Sequence, residues 1–214
     1  MLEGHTTLLA AARLNPPAGM PAIIQPPIEA RPAWAALLDR FYMLAGLPLP
    51  VLTRLRPEEL PQPYNRLLVH SADMTPTLES FYGRPLGLTV MSREPEEDAY
   101  LREVVLTLAA ENRPIEYGAI RIHLNRLPAT ARRRVLEEQR PLGKILEMEA
   151  IPHLSWPQAF FRSESDTRTS AALRLGQTAE LYGRRNVLLD GSRHLLAEVI
   201  EVLAPVEFTD TMLP

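Results

Sequence analysis

From residue 65 onward the chain alternates between short apolar runs and brief polar or glycine-marked breaks. Residues 87–91, 99–108 and 115–124 are apolar runs rich in β-branched side chains. The polar stretch 92–98 and the sequence Glu111-Asn112-Arg113-Pro114 separate them. Three such runs with short turns predict an antiparallel meander. Residues 186–189 and 194–202 form a further pair. Asp190-Gly191 between them is a hairpin signal, because glycine accepts positive φ without a Cβ clash. The short apolar runs 65–70 and 145–151 also read as strands. Residues 33–45, AWAALLDRFYMLA, carry apolar residues at helical spacing and are stopped by Gly46-Leu47-Pro48. A short helix is predicted from Asp73 or Thr75, with Pro76 in its first turn and Gly83 at its end. Residues 128–139 are good helix formers, and the stretch Pro141-Leu142-Gly143-Lys144 breaks that helix. Residues 152–174 are polar and irregular, and the pattern assigns them no element.

Proline changes the picture at the N-terminal side. Of the 21 prolines, 11 fall before Asn65. Pro16-Pro17, Pro21, Pro26-Pro27 and Pro32 forbid a continuous helix. The reading is a proline-rich arm with one helix over residues 1–64, packed on or flexibly attached to a domain over 65–214. The chain has 214 residues, a net charge of −3 and 46% hydrophobic content. That suits a soluble globular chain with a sizeable core and gives no reason to expect nucleic acid or membrane as a partner. The basic cluster Arg132-Arg133-Arg134 is followed at once by Glu137 and Glu138 without interleaved aromatics, which describes a solvated helix face. No cysteine is present, which removes thiolate chemistry and fits a reducing cytoplasm. No apolar run approaches the length of a membrane span, and residues 1–14 do not read as a secretory signal.

Phosphate-loop, dinucleotide-loop and nucleophile-elbow motifs are absent, and the five histidines show no metal-ligand spacing. If the chain is an enzyme, its chemistry rests on arginine and glutamate side chains and backbone amides. Glu198 stands between Leu196 and Ile200 on alternating strand positions. A carboxylate on an apolar face must be paired, neutralised or used. The other reading makes it a solvated strand residue. Arg102 lies in the run 99–108, where it either pairs with an acid across the sheet or binds an anion.

Four separated segments, in this order and spacing, resemble chorismate lyase and its relatives. They are Asp73-Met74-Thr75 ahead of Leu78-Glu79 and Gly83; Leu101-Arg102-Glu103-Val104-Val105-Leu106; Pro141-Leu142-Gly143-Lys144-Ile145-Leu146; and Tyr182-Gly183-Arg184-Arg185-Asn186 followed by Leu195-Leu196-Ala197-Glu198. The resemblance covers about residues 65–205. It implies an α+β fold, chorismate-lyase-like, with a mostly antiparallel sheet, flanking helices and a ligand enclosed under flaps. It implies conversion of chorismate to 4-hydroxybenzoate and pyruvate, for quinone or secondary metabolism, without metal or organic cofactor. Carried onto matching positions, Arg102 would bind the ring carboxylate, Met74 and Leu142 would offer backbone amides, and Glu198 would contact the oxygen at the ring's far end. Arg102 and Glu198 are then the catalytic pair. The same fold also serves homologues acting on other carboxylated or polyketide-like substrates, and non-catalytic modules that bind aromatic acids. The N-terminal arm has no part in these motifs.

Overall fold

A computed structural model describes residues 31–206. The proline-rich stretch before Arg31 lies outside the described residues. One compact unit begins at Pro32, so the helix that the pattern places in the arm belongs to the same unit as the sheet.

Seven strands make one antiparallel sheet in the order β1-β5-β6-β7-β4-β3-β2. They are β1 (Thr53–Leu55), β2 (Leu86–Pro95), β3 (Ala99–Leu108), β4 (Arg113–His123), β5 (His153–Glu164), β6 (Glu180–Asp190) and β7 (Leu195–Leu203). The meander β2-β3-β4 is the one the apolar runs predict, and β6-β7 is the expected C-terminal pair. β7 inserts beside β4, which joins the two halves of the sheet at its centre. The α+β class with a mostly antiparallel sheet is thus the architecture of the protein.

Helices cover both faces. On one face lies α1 (Ala36–Leu44), whose Leu37, Leu38, Phe41 and Tyr42 repeat at helical spacing. They pack with Leu101, Val105, Tyr117, Phe161, Ile200 and Val202, together with α6 (Thr167–Leu173). Phe41 is fully buried there, a contribution of about 1.5–3 kcal/mol. The other face carries α2 (Tyr64–Leu68), α3 (Met74–Tyr82), α4 (Ala129–Leu136) and α5 (Leu142–Met148). Leu68, Leu78 and Tyr82 pack on Leu106 and Ile115, while Val135, Ile145 and Leu146 pack on Ile120 and Ile122. No helix among the described residues is long and apolar enough to cross a membrane.

Three local expectations are corrected. The runs 65–70 and 145–151 are the helices α2 and α5 rather than strands. Both are short apolar stretches, for which periodicity does not separate strand from buried helix. Residues 152–174 are regular: they form β5 and α6. Pro157 sits where the β5–β6 register shifts, a bulge that tolerates a residue without an amide hydrogen. The β6–β7 turn is longer than Asp190-Gly191 predicts. Positive φ falls on Arg193 (64°), and Asp190 Oδ1 accepts from the amides of Ser192 (2.8 Å) and His194 (2.9 Å).

Candidate functional site

Alternation along four central strands builds the floor of a cavity. Arg102, Val104 and Leu106 of β3, Glu116, Gly118 and Ile120 of β4, Val199 and Glu201 of β7, and Asn186 and Leu188 of β6 all line it. These are the positions that share one face of the sheet. The roof is made by the starts of two helices, Asp73-Met74-Thr75 of α3 and Pro141-Leu142-Gly143 of α5. Met74 and Leu142 are the first residues of their helices, so their amides have no partner in the helical ladder. Arg102, Met74 and Leu142, three of the residues singled out in the sequence, therefore meet at one cavity.

Arg102 is the notable member. Its side chain is 1% exposed. Among the described residues it forms no ion pair with a carboxylate; its contacts are the carbonyls of Val135 (3.5 Å) and Arg140 (3.4 Å), both at the limit of a hydrogen bond. Its Nε has no partner. Burial pushes its pKa down to about 10, against a smaller pull from Tyr100 and Glu138. The group is still a cation at neutral pH. A buried guanidinium without an anion is costly, and this end of the cavity holds one.

The opposite wall is acidic. Gly118 pairs with Val104 on one side and Glu201 on the other, and Arg102 pairs with Ile120. Strands spaced at about 4.8 Å with a rise of about 3.3 Å per residue put the Cα atoms of Arg102 and Glu201 roughly 12 Å apart. Glu201 accepts from Nε of Arg184, a guanidinium with no exposed surface. Arg184 also donates to the carbonyls of Leu68 (3.1 Å), His70 (3.1 Å) and Ala72 (3.3 Å). One arginine thus fixes the acid and ties the segment leading into α3 to the sheet. Glu116 is also buried, and its Oε2 has no partner. Burial first, and the neighbouring Glu201 second, hold its carboxyl well above the usual range. Asn186 donates to Ser155 Oγ (2.9 Å), while its Oδ1 stays unpartnered.

Two further contacts hold the roof. His153 Nε2 meets Asp73 Oδ2 at 2.8 Å, and Ser155 Oγ donates to the carbonyl of Ala72 (3.2 Å). Asp73 occupies the N-cap position of α3, yet its side chain reaches across to His153 instead of capping the helix.

Glu198 is not in the cavity. It projects from the other face of β7, where its carboxylate bonds Arg185 (2.7 Å) and Arg121 (3.3 Å). The expectation failed on parity. Glu198 and Glu201 are three positions apart, and an odd separation puts them on opposite faces. Leu196 and Ile200 do flank Glu198, but two cross-strand arginines neutralise it. The residues that sequence reasoning missed are Glu116, Asn186 and Glu201. Alternation within β7 could have found Glu201, since Val199 and Leu203 flank it as Leu196 and Ile200 flank Glu198. Nothing in the chain alone says which face is hollow. Among the described residues no three His, Asp or Glu side chains come together to hold a metal ion.

No protein-family model and no curated protein matches the chain. Among solved structures, the effector domain of PhnF from Mycobacterium smegmatis is similar over 62% of this chain and 88% of its own, at 13% identity and a TM-score of 0.47. A transcriptional regulator of the GntR family from Bacillus cereus is similar over 57% and 95%, at 13% identity and a TM-score of 0.42. A gene product of Staphylococcus aureus gives 56% and 82%, at 9% identity and a TM-score of 0.44.

Proposed function

We propose that the cavity binds a small ring carboxylate through Arg102, and that the reaction it serves is the loss of pyruvate from chorismate. One observation carries this reading: a buried arginine with no ion-pair partner among the described residues shares one cavity with apolar side chains and a buried acidic wall. Arg102 offers a planar fork suited to a carboxylate. The free amides at the starts of α3 and α5 add donors at the roof. Val104, Ile120, Leu188 and Val199 supply apolar surface for a ring.

In the reaction the C3–O bond to the enolpyruvyl group breaks and the ring loses its C4 hydrogen. The enolpyruvyl methylene gains a hydrogen, giving 4-hydroxybenzoate and pyruvate with atoms in balance. The protein must hold a dianion, exclude water and tolerate a proton in transit. Glu201, held by Arg184, takes the role that the resemblance gave to Glu198. In this reading it contacts the oxygen at the ring's far end. It either carries the proton or orients a transfer within the substrate.

The same geometry supports a second reading, in which the domain binds an aromatic acid and performs no chemistry. Arg102 would serve both; two buried acids in one small cavity suit chemistry better. Incubating the purified protein with chorismate and following pyruvate and 4-hydroxybenzoate together separates them. Equimolar appearance of both products supports the lyase. Binding of 4-hydroxybenzoate without pyruvate release supports the binding module.

A further inference from the structure

Glu116 is a second acid in the cavity, and the carried-over motifs give it no role. Its side chain is 4% exposed, and no Lys, Arg or His forms an ion pair with it among the described residues. The nearby Arg184 is occupied by Glu201 and three backbone carbonyls. Gly118 makes the space that Glu116 uses. A Cβ at position 118 would stand 3.5 Å from Glu116 Oε1 and 3.1 Å from the carbonyl of Ile200. The carboxyl of Glu116 therefore lies over Gly118, the residue directly opposite Glu201 in the sheet. Two neighbouring buried carboxyl groups, with one engaged arginine beside Glu201 on β6 and none bonded to Glu116 among the described residues, do not both ionise. Glu201 bonds that arginine, so the proton belongs on Glu116.

A protonated carboxyl is a donor, and Glu116 Oε2 is unpartnered. Its neighbours in the far wall, the Glu201 carboxylate and Asn186 Oδ1, are acceptors. We infer that Glu116 is a specificity-determining residue of this cavity, offering its hydrogen to a hydroxyl oxygen on the far side of a ring carboxylate. A hydroxyl matches such a wall completely: it accepts from Glu116 and donates to Glu201 or Asn186. An aromatic amine donates well but accepts poorly. A fluorine donates nothing. The site therefore ranks ligands as hydroxyl over amino over fluoro. This inference rests on the reading of Arg102 as the carboxylate anchor.

The test is calorimetric titration of the full chain with benzoate, 4-hydroxybenzoate, 4-aminobenzoate and 4-fluorobenzoate, in wild type, Glu116→Leu and Glu116→Gln. The expected preference of wild type for 4-hydroxybenzoate over 4-aminobenzoate is about tenfold, the size of one hydrogen bond to a well-placed donor. Glu116→Leu removes the donor without leaving an unpaired polar group, and should bring the two ligands within about twofold. Glu116→Gln keeps a donor in the same shape and should retain the preference, which also covers failure of the leucine variant to fold. A wild type that favours the amine would mean an ionised Glu116 and would overturn the inference. So would a hydroxyl preference that survives in Glu116→Leu. In both cases binding of benzoate would leave the Arg102 anchor standing. If none of the four ring carboxylates binds, the anchor reading itself fails and the inference falls with it.

Discussion

Glu198 and Glu201 stand three residues apart on β7 and serve opposite faces of the sheet. Glu201 enters the cavity in the grip of Arg184, while Glu198 lies outside it between Arg185 and Arg121. The pair makes a controlled comparison within one strand. Glu201→Gln should lower turnover of chorismate at least tenfold, the lower end of the range for a group that handles a proton. Glu198→Gln should leave turnover within about twofold and cost at most about 1 kcal/mol of stability, as for a partly exposed ion pair. Initial rates of pyruvate release and urea unfolding of the two variants check both statements.

Gly183 is a packing requirement of the wall that holds Arg184. A Cβ there would fall 2.4 Å from the carbonyl of Glu201 and 2.5 Å from the ring of Phe161. Neither the central strand nor the stacked Trp34–Phe161 pair, with centroids 5.2 Å apart, yields easily. Gly183→Ala should destabilise the protein by about 2 kcal/mol or more. Gly191, which has open space around its Cα and no positive φ, should accept alanine within about 0.5 kcal/mol. Denaturant midpoints of the two variants give the contrast.

The roof contact between Asp73 and His153 predicts a pH dependence. The hydrogen bond to Asp73 is the largest influence on His153 and raises its pKa, against a smaller opposing effect of burial. A histidine whose folded pKa is raised contributes stability that is fully present below its unfolded pKa of about 6.5 and is lost as pH rises through the folded value. Asp73→Asn removes the largest cause of the raised pKa. The stability gap between wild type and Asp73→Asn should therefore be larger at pH 5.5 than at pH 8.5. Urea unfolding at the two pH values measures it, and an equal gap would place His153 outside this linkage.

The fold was legible wherever the chain carries long, strongly patterned runs. β3, β4 and their turn follow from residues 99–124, and α1 from its repeat of Leu37, Leu38 and Phe41. Short apolar stretches misled: α2 and α5 are each under two turns and look the same as buried strands. β5 was hidden by Pro157 and by its polar residues, and neither prevents a strand when a bulge absorbs the proline. The site was half legible. Arg102, Met74 and Leu142 line one cavity. Glu198 does not, because an odd step along a strand moves a side chain across the sheet. Hollowness is a property of two packed layers, and no single strand records it.

Arg102 is the proposed anchor of a ring carboxylate, and titration of 4-hydroxybenzoate into wild type and Arg102→Lys tests that most directly. Lysine keeps the charge and loses the fork. The expected outcome is one site per chain in wild type and a loss of about 1.5–3 kcal/mol in the variant, roughly 10- to 100-fold in affinity, the range for a hydrogen bond to a charged group. Affinity in Arg102→Lys equal to that of wild type, in a variant that unfolds at the same denaturant concentration, would contradict it.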